Sequence, residues 1–418
     1  MKYRIGKSSL NGEVKLAGAK NSVLKLLTSS ILCQENIVIH NYPSMLSDAQ
    51  IHVQMLKKLG KQCALMDEET LLIKQSLQLT SNLEWDNRSI RNTLLILGAL
   101  TSVTGEGSVP LPGGCKLGDR SYDLHVMVLE ALGAEVWDDD DNLYAKANKD
   151  GLTGAEIYLP MRSTGATENA IISSVLAKGI TRIWNPHIRP EILDLIRFLK
   201  QMGANINVYG QEHIKVTGVE YLTGCDHSVI PDNMEAITWA AGSVITGGDV
   251  EIIGFPFKDL EVVMVHLRES GARFYKGEDR LIVRGGRCYP IEISTGPHPG
   301  INSDVQPILA AFAAQARGES RIVDLRFPGR YAYAEEFKKM GLDYDIKGNL
   351  LNIYGRGGGL KGATVKALDL RAGAALMLCG MSAEGETIIT DAWQIERGYN
   401  DIIHKLKKLG ANVEVVQD

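Results

Sequence analysis

Hydrophobic and polar positions along this chain switch between helical and strand periods in a repeating order. Helix-like segments with apolar residues three and four apart end in glycine and pass into a short strand. They close at Gly60, Gly133, Gly203, Gly271, Gly341 and Gly410, at intervals of about 70 residues. Such a glycine suits the position just past a helix, where φ is positive and a Cβ is unwelcome. A second element keeps step: a mostly apolar helix, a turn usually rich in glycine, and a β-branched strand. Examples are 170–178 before Ile180–Ile183, 308–317 before Ser320–Val323, and 372–383 before Thr387–Ile389. Each unit therefore reads as helix–strand–helix–strand–strand. One such unit cannot bury its apolar helix alone, so six must pack together, three to a domain in an α/β architecture. A Rossmann dinucleotide domain is disfavoured, because no GxGxxG follows the first strand.

Composition narrows the class. At 418 residues the chain exceeds the size of a single growing core, which agrees with two domains. A hydrophobic content of 44% with 23% charged residues describes a soluble globular protein. The net charge of −5 argues against nucleic acid as a main partner, although a local cationic pocket fits within an acidic total. The apolar runs are too short to span a bilayer, and the N-terminus has no secretory pattern. The six cysteines are scattered without CxxC pairs, which predicts free thiols in a reducing cytoplasm and no metal site.

The starts of the apolar helices carry the candidate chemistry: Lys20-Asn21-Ser22, Arg91-Asn92-Thr93, Ser163-Thr164-Gly165, Asp232-Asn233, Ser303-Asp304 and Asp369-Leu370-Arg371. Ser, Thr and Asp there are ordinary N-caps, and Asp232 with Glu235 reads as a capping box. Lys20, Arg91 and Arg371 oppose the positive end of the helix dipole, so each requires an anion nearby or full solvation. Three such placements predict helix starts facing an anion, with Arg330 and Arg397 at comparable points of the repeat.

One loop stands apart: Leu111-Pro112-Gly113-Gly114-Cys115-Lys116-Leu117-Gly118-Asp119-Arg120. Pro-Gly-Gly keeps Cys115 out of helix and strand. Lys116 and Arg120 favour a thiolate and attract an anionic substrate. The plain alternative is a buried, inert thiol.

Taken together, Gly18-Ala19-Lys20-Asn21-Ser22, the Cys115 loop, Ser163–Glu168, Asp369-Leu370-Arg371-Ala372 and Glu396-Arg397-Gly398-Tyr399 resemble the UDP-N-acetylglucosamine enolpyruvyl transferases from about residue 3 to residue 416. The resemblance implies a two-domain inside-out α/β barrel of six βαβαββ repeats. Residues 20–229 would form the domain carrying the Cys115 loop, and 1–19 with 230–418 the other. It implies transfer of the enolpyruvyl group of phosphoenolpyruvate to the 3-hydroxyl of UDP-N-acetylglucosamine with loss of phosphate, without a cofactor. Cys115 matches the proton donor, the thiol that can add to phosphoenolpyruvate and the target of fosfomycin. Asp304 matches the carboxylate that takes the hydroxyl proton, with an N-cap role as its alternative. Lys20, Asn21, Arg120, Arg330, Arg371 and Arg397 match phosphoenolpyruvate ligands. Arg91, Arg120, Ser121, Tyr122, Asp123, Leu124, Ser163, Thr164, Gly165, Asp304 and Asp369 match the nucleotide-sugar side. The 5-enolpyruvylshikimate-3-phosphate synthases share the fold but lack the cysteine loop.

Several acceptor-side positions depart from the family pattern: Ser121-Tyr122, Arg189, Asn233, Gly329 and Gln394. The phosphoenolpyruvate residues are intact. Two acceptors are therefore open at this stage, UDP-N-acetylglucosamine and another uridine nucleotide such as UMP, and Tyr122 could stack on uracil in either.

Overall fold

The structure, a computed structural model, describes residues 1–75, 78–88, 90–111 and 122–417 of the chain. It divides into two compact units, Gly18–Ile230 and a second made of Met1–Ala17 with Pro231–Asp418.

The unit Gly18–Ile230 carries α1 (Lys20–Ser29), α2 (Ser47–Lys58), α3 (Thr93–Thr104), α4 (Asp123–Ala131), α5 (Thr164–Ser174) and α6 (Pro190–Gln201). Among the described residues its strands form three sheets, each containing antiparallel pairs. Two of the sheets add one parallel strand at an edge, Cys225–Ser228 beside Ile37–His40 and Glu156–Tyr158 beside Ile180–Trp184. α1, α3 and α5 are buried on nearly every side. For α3 this follows from composition, because a helix apolar all round has no face to give to water, whereas α1 and α5 bury polar side chains as well. α3 and α5 approach closely at Gly98, where a Cβ would sit 2.2 Å from the Asn169 side chain.

The second unit carries α7 (Asn233–Ile245), α8 (Glu261–Glu269), α9 (Gln306–Gln315), α10 (Tyr333–Lys339), α11 (Leu370–Ser382), α12 (Trp393–Glu396) and α13 (Ile402–Lys408). Every residue of α7 is buried, as are nearly all of α9 and α11, and these three helices pack on one another. Alanine and glycine at Ala310, Ala311, Ala313, Ala314 and Gly242 permit that approach. The N-terminal segment completes two of the surrounding sheets. Lys2–Ile5 pairs antiparallel with Thr387–Thr390 and Val413–Val416, and Asn11–Lys15 runs parallel to Asp249–Ile253.

The six spaced glycines all have positive φ, between 85° and 106°. In four of them the next residue donates back across the helix end: Ala204 to Leu199 O, Ala272 to Leu267 O, Leu342 to Phe337 O and Ala411 to Leu406 O. These are Schellman closures, which satisfy the last carbonyls and turn the chain into the following strand.

Candidate functional site

In the unit Gly18–Ile230 the chain enters α1 through Gly18, where a Cβ would lie 2.0 Å from Asn41 O. Only glycine allows that approach, and Ala19 N then donates to Ile230 O at 2.8 Å. Lys20 follows as the first helical residue and is 8% exposed. Its ammonium lies 2.9 Å from Asp48 Oδ2, and Asp48, buried in the first turn of α2, also accepts from Arg88. Two cations share the Asp48 carboxylate. Ser22 in the same turn donates to the buried Asp194 carboxylate, which His227 Nε2 and Arg197 also contact, at 3.1 and 3.0 Å. Burial alone would raise the Asp194 carboxyl, but hydrogen bonds from His227 and Ser22 bring it below its ordinary value. The first turn of α1, with Lys20 and Asn21, is thereby pinned to α6.

The starts of α3, α4 and α5 lie in the same unit. Asn92, beside Arg91, donates to Leu24 O at 2.9 Å and Thr28 Oγ1 at 2.8 Å, and meets His52 Nδ1 at 3.1 Å. Ser163 caps α5 by accepting from Ala166 N, and Thr164 Oγ1 meets His187 Nδ1 at 2.8 Å. Gly165 abuts His125, whose Nε2 would be 3.0 Å from an added Cβ. Burial first, then the cations Arg91 and Lys25, push His125 down to about 3, so this imidazole is neutral near pH 7. Tyr122 precedes Asp123 and Leu124 at the start of α4, its phenol raised by burial and by a hydrogen bond to Asp138.

In the second unit Asp304 stands just before α9. Arg330 NH1 donates to Asp304 Oδ1 at 3.0 Å and to Ser303 Oγ at 3.2 Å, while NH2 faces Asp369 Oδ2 at 3.7 Å. Asp369 also caps α11, accepting from the amides of Arg371 and Ala372 at 2.7 and 2.8 Å. Arg371, 1% exposed, lies 3.9 Å from Asp304 Oδ2 and over the Tyr399 ring at 5.2 Å. Tyr399 in turn meets Thr238 Oγ1 of α7 at 2.8 Å. Burial would lower both guanidinium groups, yet the facing groups outweigh it: the carboxylates Asp304 then Asp369 for Arg330, and the Tyr399 phenol then the Asp304 carboxylate for Arg371. Both side chains therefore stay charged. Arg397 is buried and donates to Gln394 Oε1 at 2.9 Å, and its neighbour Glu396 is held by Tyr3 at 2.8 Å.

Measured against the sequence-based expectations, Asp304, Arg330, Asp369 and Arg371 come together in one ion cluster. Lys20 and Asn21 share one helix start, and Ser163, Thr164 and Gly165 share another. Cys115, Arg120 and Ser121 lie outside the described residues. Three expectations change. The anion beside Lys20 is the protein's own Asp48, a residue that reads in the sequence as an ordinary acid of a first helical turn. Asp304 is not a cap, since α9 begins at Gln306. Asp232 does cap α7, at 2.8 and 3.0 Å to Met234 N and Glu235 N, but Glu235 does not complete a box. Its carboxylate takes Ala17 N and Trp239 Nε1, each at 2.9 Å, and pairs with Lys405. Among the described residues no group of His, Cys, Asp and Glu could hold a metal, and no helix is long and apolar enough to cross a membrane.

Each of the two α/β units holds a buried cation at a helix start, Lys20 in one and Arg371 in the other, a placement suited to anionic ligands, and comparison with known proteins gives the family. The chain belongs to the EPSP synthase (3-phosphoshikimate 1-carboxyvinyltransferase) family, which it matches over residues 5–406. It is 39% identical over 417 residues to the UDP-N-acetylglucosamine 1-carboxyvinyltransferase of Finegoldia magna, covering 98% of each chain. It is 38% identical to UDP-N-acetylglucosamine 1-carboxyvinyltransferase 1 of Caldanaerobacter subterraneus, covering 99% of both. Among solved structures, the enolpyruvyl transferase NikO from Streptomyces tendae shares the fold with a TM-score of 0.89 at 23% identity, over 99% of this chain and 98% of that one. An EPSP synthase from Acinetobacter baumannii shares it with a TM-score of 0.76 at 17% identity, over 100% of both.

Proposed function

We propose that this protein transfers the enolpyruvyl group of phosphoenolpyruvate to the 3-hydroxyl of UDP-N-acetylglucosamine and releases phosphate, the step that commits the sugar nucleotide to peptidoglycan precursors in the cytoplasm. The observation that carries this reading is 38–39% identity over essentially the whole chain to proteins bearing that activity in their names. In this reading each unit is an inside-out α/β barrel of three βαβαββ repeats.

The chemistry is an addition followed by an elimination. The acceptor oxygen attacks C2 of phosphoenolpyruvate while C3 gains a proton. C3 then loses a proton as the C2–O bond to phosphate breaks. Asp304 takes the hydroxyl proton, and Cys115 supplies the proton to C3. Lys20, Asn21, Arg120, Arg330, Arg371 and Arg397 hold the phosphate and carboxylate, and stabilise charge on the tetrahedral intermediate. Arg91, Arg120, Ser121, Tyr122, Asp123, Leu124, Ser163, Thr164, Gly165, Asp304 and Asp369 receive the sugar nucleotide. Ser163–Gly165, at the start of an 11-residue helix, suits its phosphates.

A second reading keeps the reaction and changes the acceptor to a simpler uridine nucleotide such as UMP. It is motivated by the departures at Ser121, Tyr122, Arg189, Asn233, Gly329 and Gln394. Three of these find partners inside the protein, which favours the first reading. Tyr122 is hydrogen-bonded to Asp138. Arg189 is held bidentately by Glu191 at 2.7 and 2.8 Å, and Gln394 engages Arg397. Phosphate release from phosphoenolpyruvate, assayed with UDP-N-acetylglucosamine and with UMP, separates them. Release with the amino sugar nucleotide is expected. Release with UMP alone establishes the second reading, and no release with either acceptor removes both.

A further inference from the structure

Lys25 lies in the middle of α1, on a helix buried on most sides, and its side chain is 14% exposed. Its ammonium donates to Asn92 Oδ1 at 3.1 Å and faces Glu168 Oε2 at 3.5 Å. Glu168 is 3% exposed, and its other oxygen has no hydrogen-bond partner among the described residues. Asn92 adjoins Arg91 at the start of α3, and Glu168 sits one turn beyond Ser163–Gly165 on α5. One ammonium therefore ties α1 to the two helix starts assigned above to the sugar nucleotide.

We propose that Lys25 and Glu168 are a positioning pair that sets Arg91 and the Ser163–Gly165 turn for the acceptor, and that protonating Glu168 loosens them, so that acceptor affinity falls in acid. This rests on the acceptor assignment of the preceding section. A buried ion pair holds its geometry only while both partners are charged. With Glu168 neutral, Lys25 becomes a nearly buried cation whose remaining hydrogen bond among the described residues is to the neutral Asn92 amide, and it relaxes toward water.

The charged groups around Glu168 are Lys25 from α1, and Arg189 and Glu191 from the start of α6. Burial pushes the Glu168 carboxyl up to about 7, against the pull of Lys25 and Arg189 and with a smaller push from Glu191. Glu191 is itself engaged bidentately by Arg189. His52 on α2 and His125 on α4 also lie near Lys25, but burial pushes both down to about 3, helped by Lys25 for His52 and by Arg91 then Lys25 for His125. They stay neutral near pH 7 and cannot supply the switch. The acceptor cannot supply it either, because a diphosphate diester stays fully ionised there.

The test compares wild type, Glu168→Gln and Lys25→Met by calorimetric titration with UDP-N-acetylglucosamine between about pH 5.5 and 8.5. Thermal stability of the free proteins is followed over the same range. For wild type the dissociation constant should rise about fivefold or more from the alkaline to the acid end, within the usual span of coupled sites. Glu168→Gln and Lys25→Met should bind weakly throughout, with a flat profile. The melting-temperature difference between wild type and Glu168→Gln should change with pH, which reports titration of Glu168 without any ligand. A flat wild-type binding profile, an unchanged profile in Glu168→Gln, or a pH-independent melting difference overturns the proposal. Absence of phosphate release with normal pH-dependent binding would overturn the assigned reaction and leave the pair standing.

Discussion

Arg330 donates to Asp304 at 3.0 Å from a side chain that is only 6% exposed, and the same guanidinium faces Asp369 at 3.7 Å. The contact fixes the proposed base between two cations, Arg330 and Arg371, on separate segments of one unit. Replacing Arg330 with Met removes the fork and leaves two carboxylates with one fewer cation. Phosphate release should fall about 10²-fold, the usual cost of losing one preorganised donor. Arg330→Lys keeps the charge but loses the fork, so it should restore only part of the rate. Full activity in Arg330→Met would remove Arg330 from the site.

Gly18 precedes Lys20 at a backbone contact that admits no side chain, 2.0 Å from Asn41 O for an added Cβ. Gly18→Ala must move the entry to α1 and carry Lys20 and Asn21 with it. A loss of about 10²-fold in kcat/KM for phosphoenolpyruvate is expected, because displacement on the order of 1 Å has that effect on positioned groups. Steady-state kinetics with phosphoenolpyruvate varied provides the check. Unchanged kinetics would mean that the first turn of α1 tolerates displacement.

The cysteines separate by chemistry. Burial pushes the thiol of Cys63 up to about 11 and those of Cys225 and Cys288 up to about 12. It raises Cys33 and Cys379 as well. Near pH 7.5 the first three hold less than about one part in 10³ as thiolate, so they should react slowly with iodoacetamide. Rapid labelling should be limited to one equivalent and should vanish in Cys115→Ser, along with fosfomycin sensitivity. Undiminished rapid labelling of that variant would place the reactive thiol elsewhere.

Glu235 gathers Ala17 N, Trp239 Nε1 and Lys405 on one buried carboxylate, joining the N-terminal segment to α7 and α13. Glu235→Ala strands three donors, one of them charged. Removing one partner of a buried pair costs about 3–5 kcal/mol, so the urea midpoint of the variant should drop markedly. A midpoint close to wild type would show that water replaces the carboxylate.

What the sequence made legible was local. Gly60 and its five counterparts could be placed because a helix end with positive φ leaves a one-residue signature, and all six adopt it. Asp232 and Asp369 were readable as caps because a short carboxylate just before a helix accepts from the amides of its first turn. The partners of Glu235 were not, because its carboxylate is claimed by Ala17 and Lys405, which lie far along the chain. Asp304 looked capable of capping, yet tertiary pairing with Arg330 decides its role. Lys25 carried no signal at all: a lysine on a helix reads as solvent-facing until Asn92 and Glu168 are folded against it. The same distance hid Asp48, the carboxylate that meets Lys20.

The central claim is that the enolpyruvyl group reaches the 3-hydroxyl of the amino sugar. Incubating the protein with UDP-N-acetylglucosamine and phosphoenolpyruvate labelled with carbon-13 at C2, then recording long-range carbon–proton NMR correlations of the product, tests it directly. A correlation between the labelled carbon and the sugar H3, with phosphate released in equal amount, is the predicted result. Phosphate release without that correlation, or transfer only to UMP, would contradict the account.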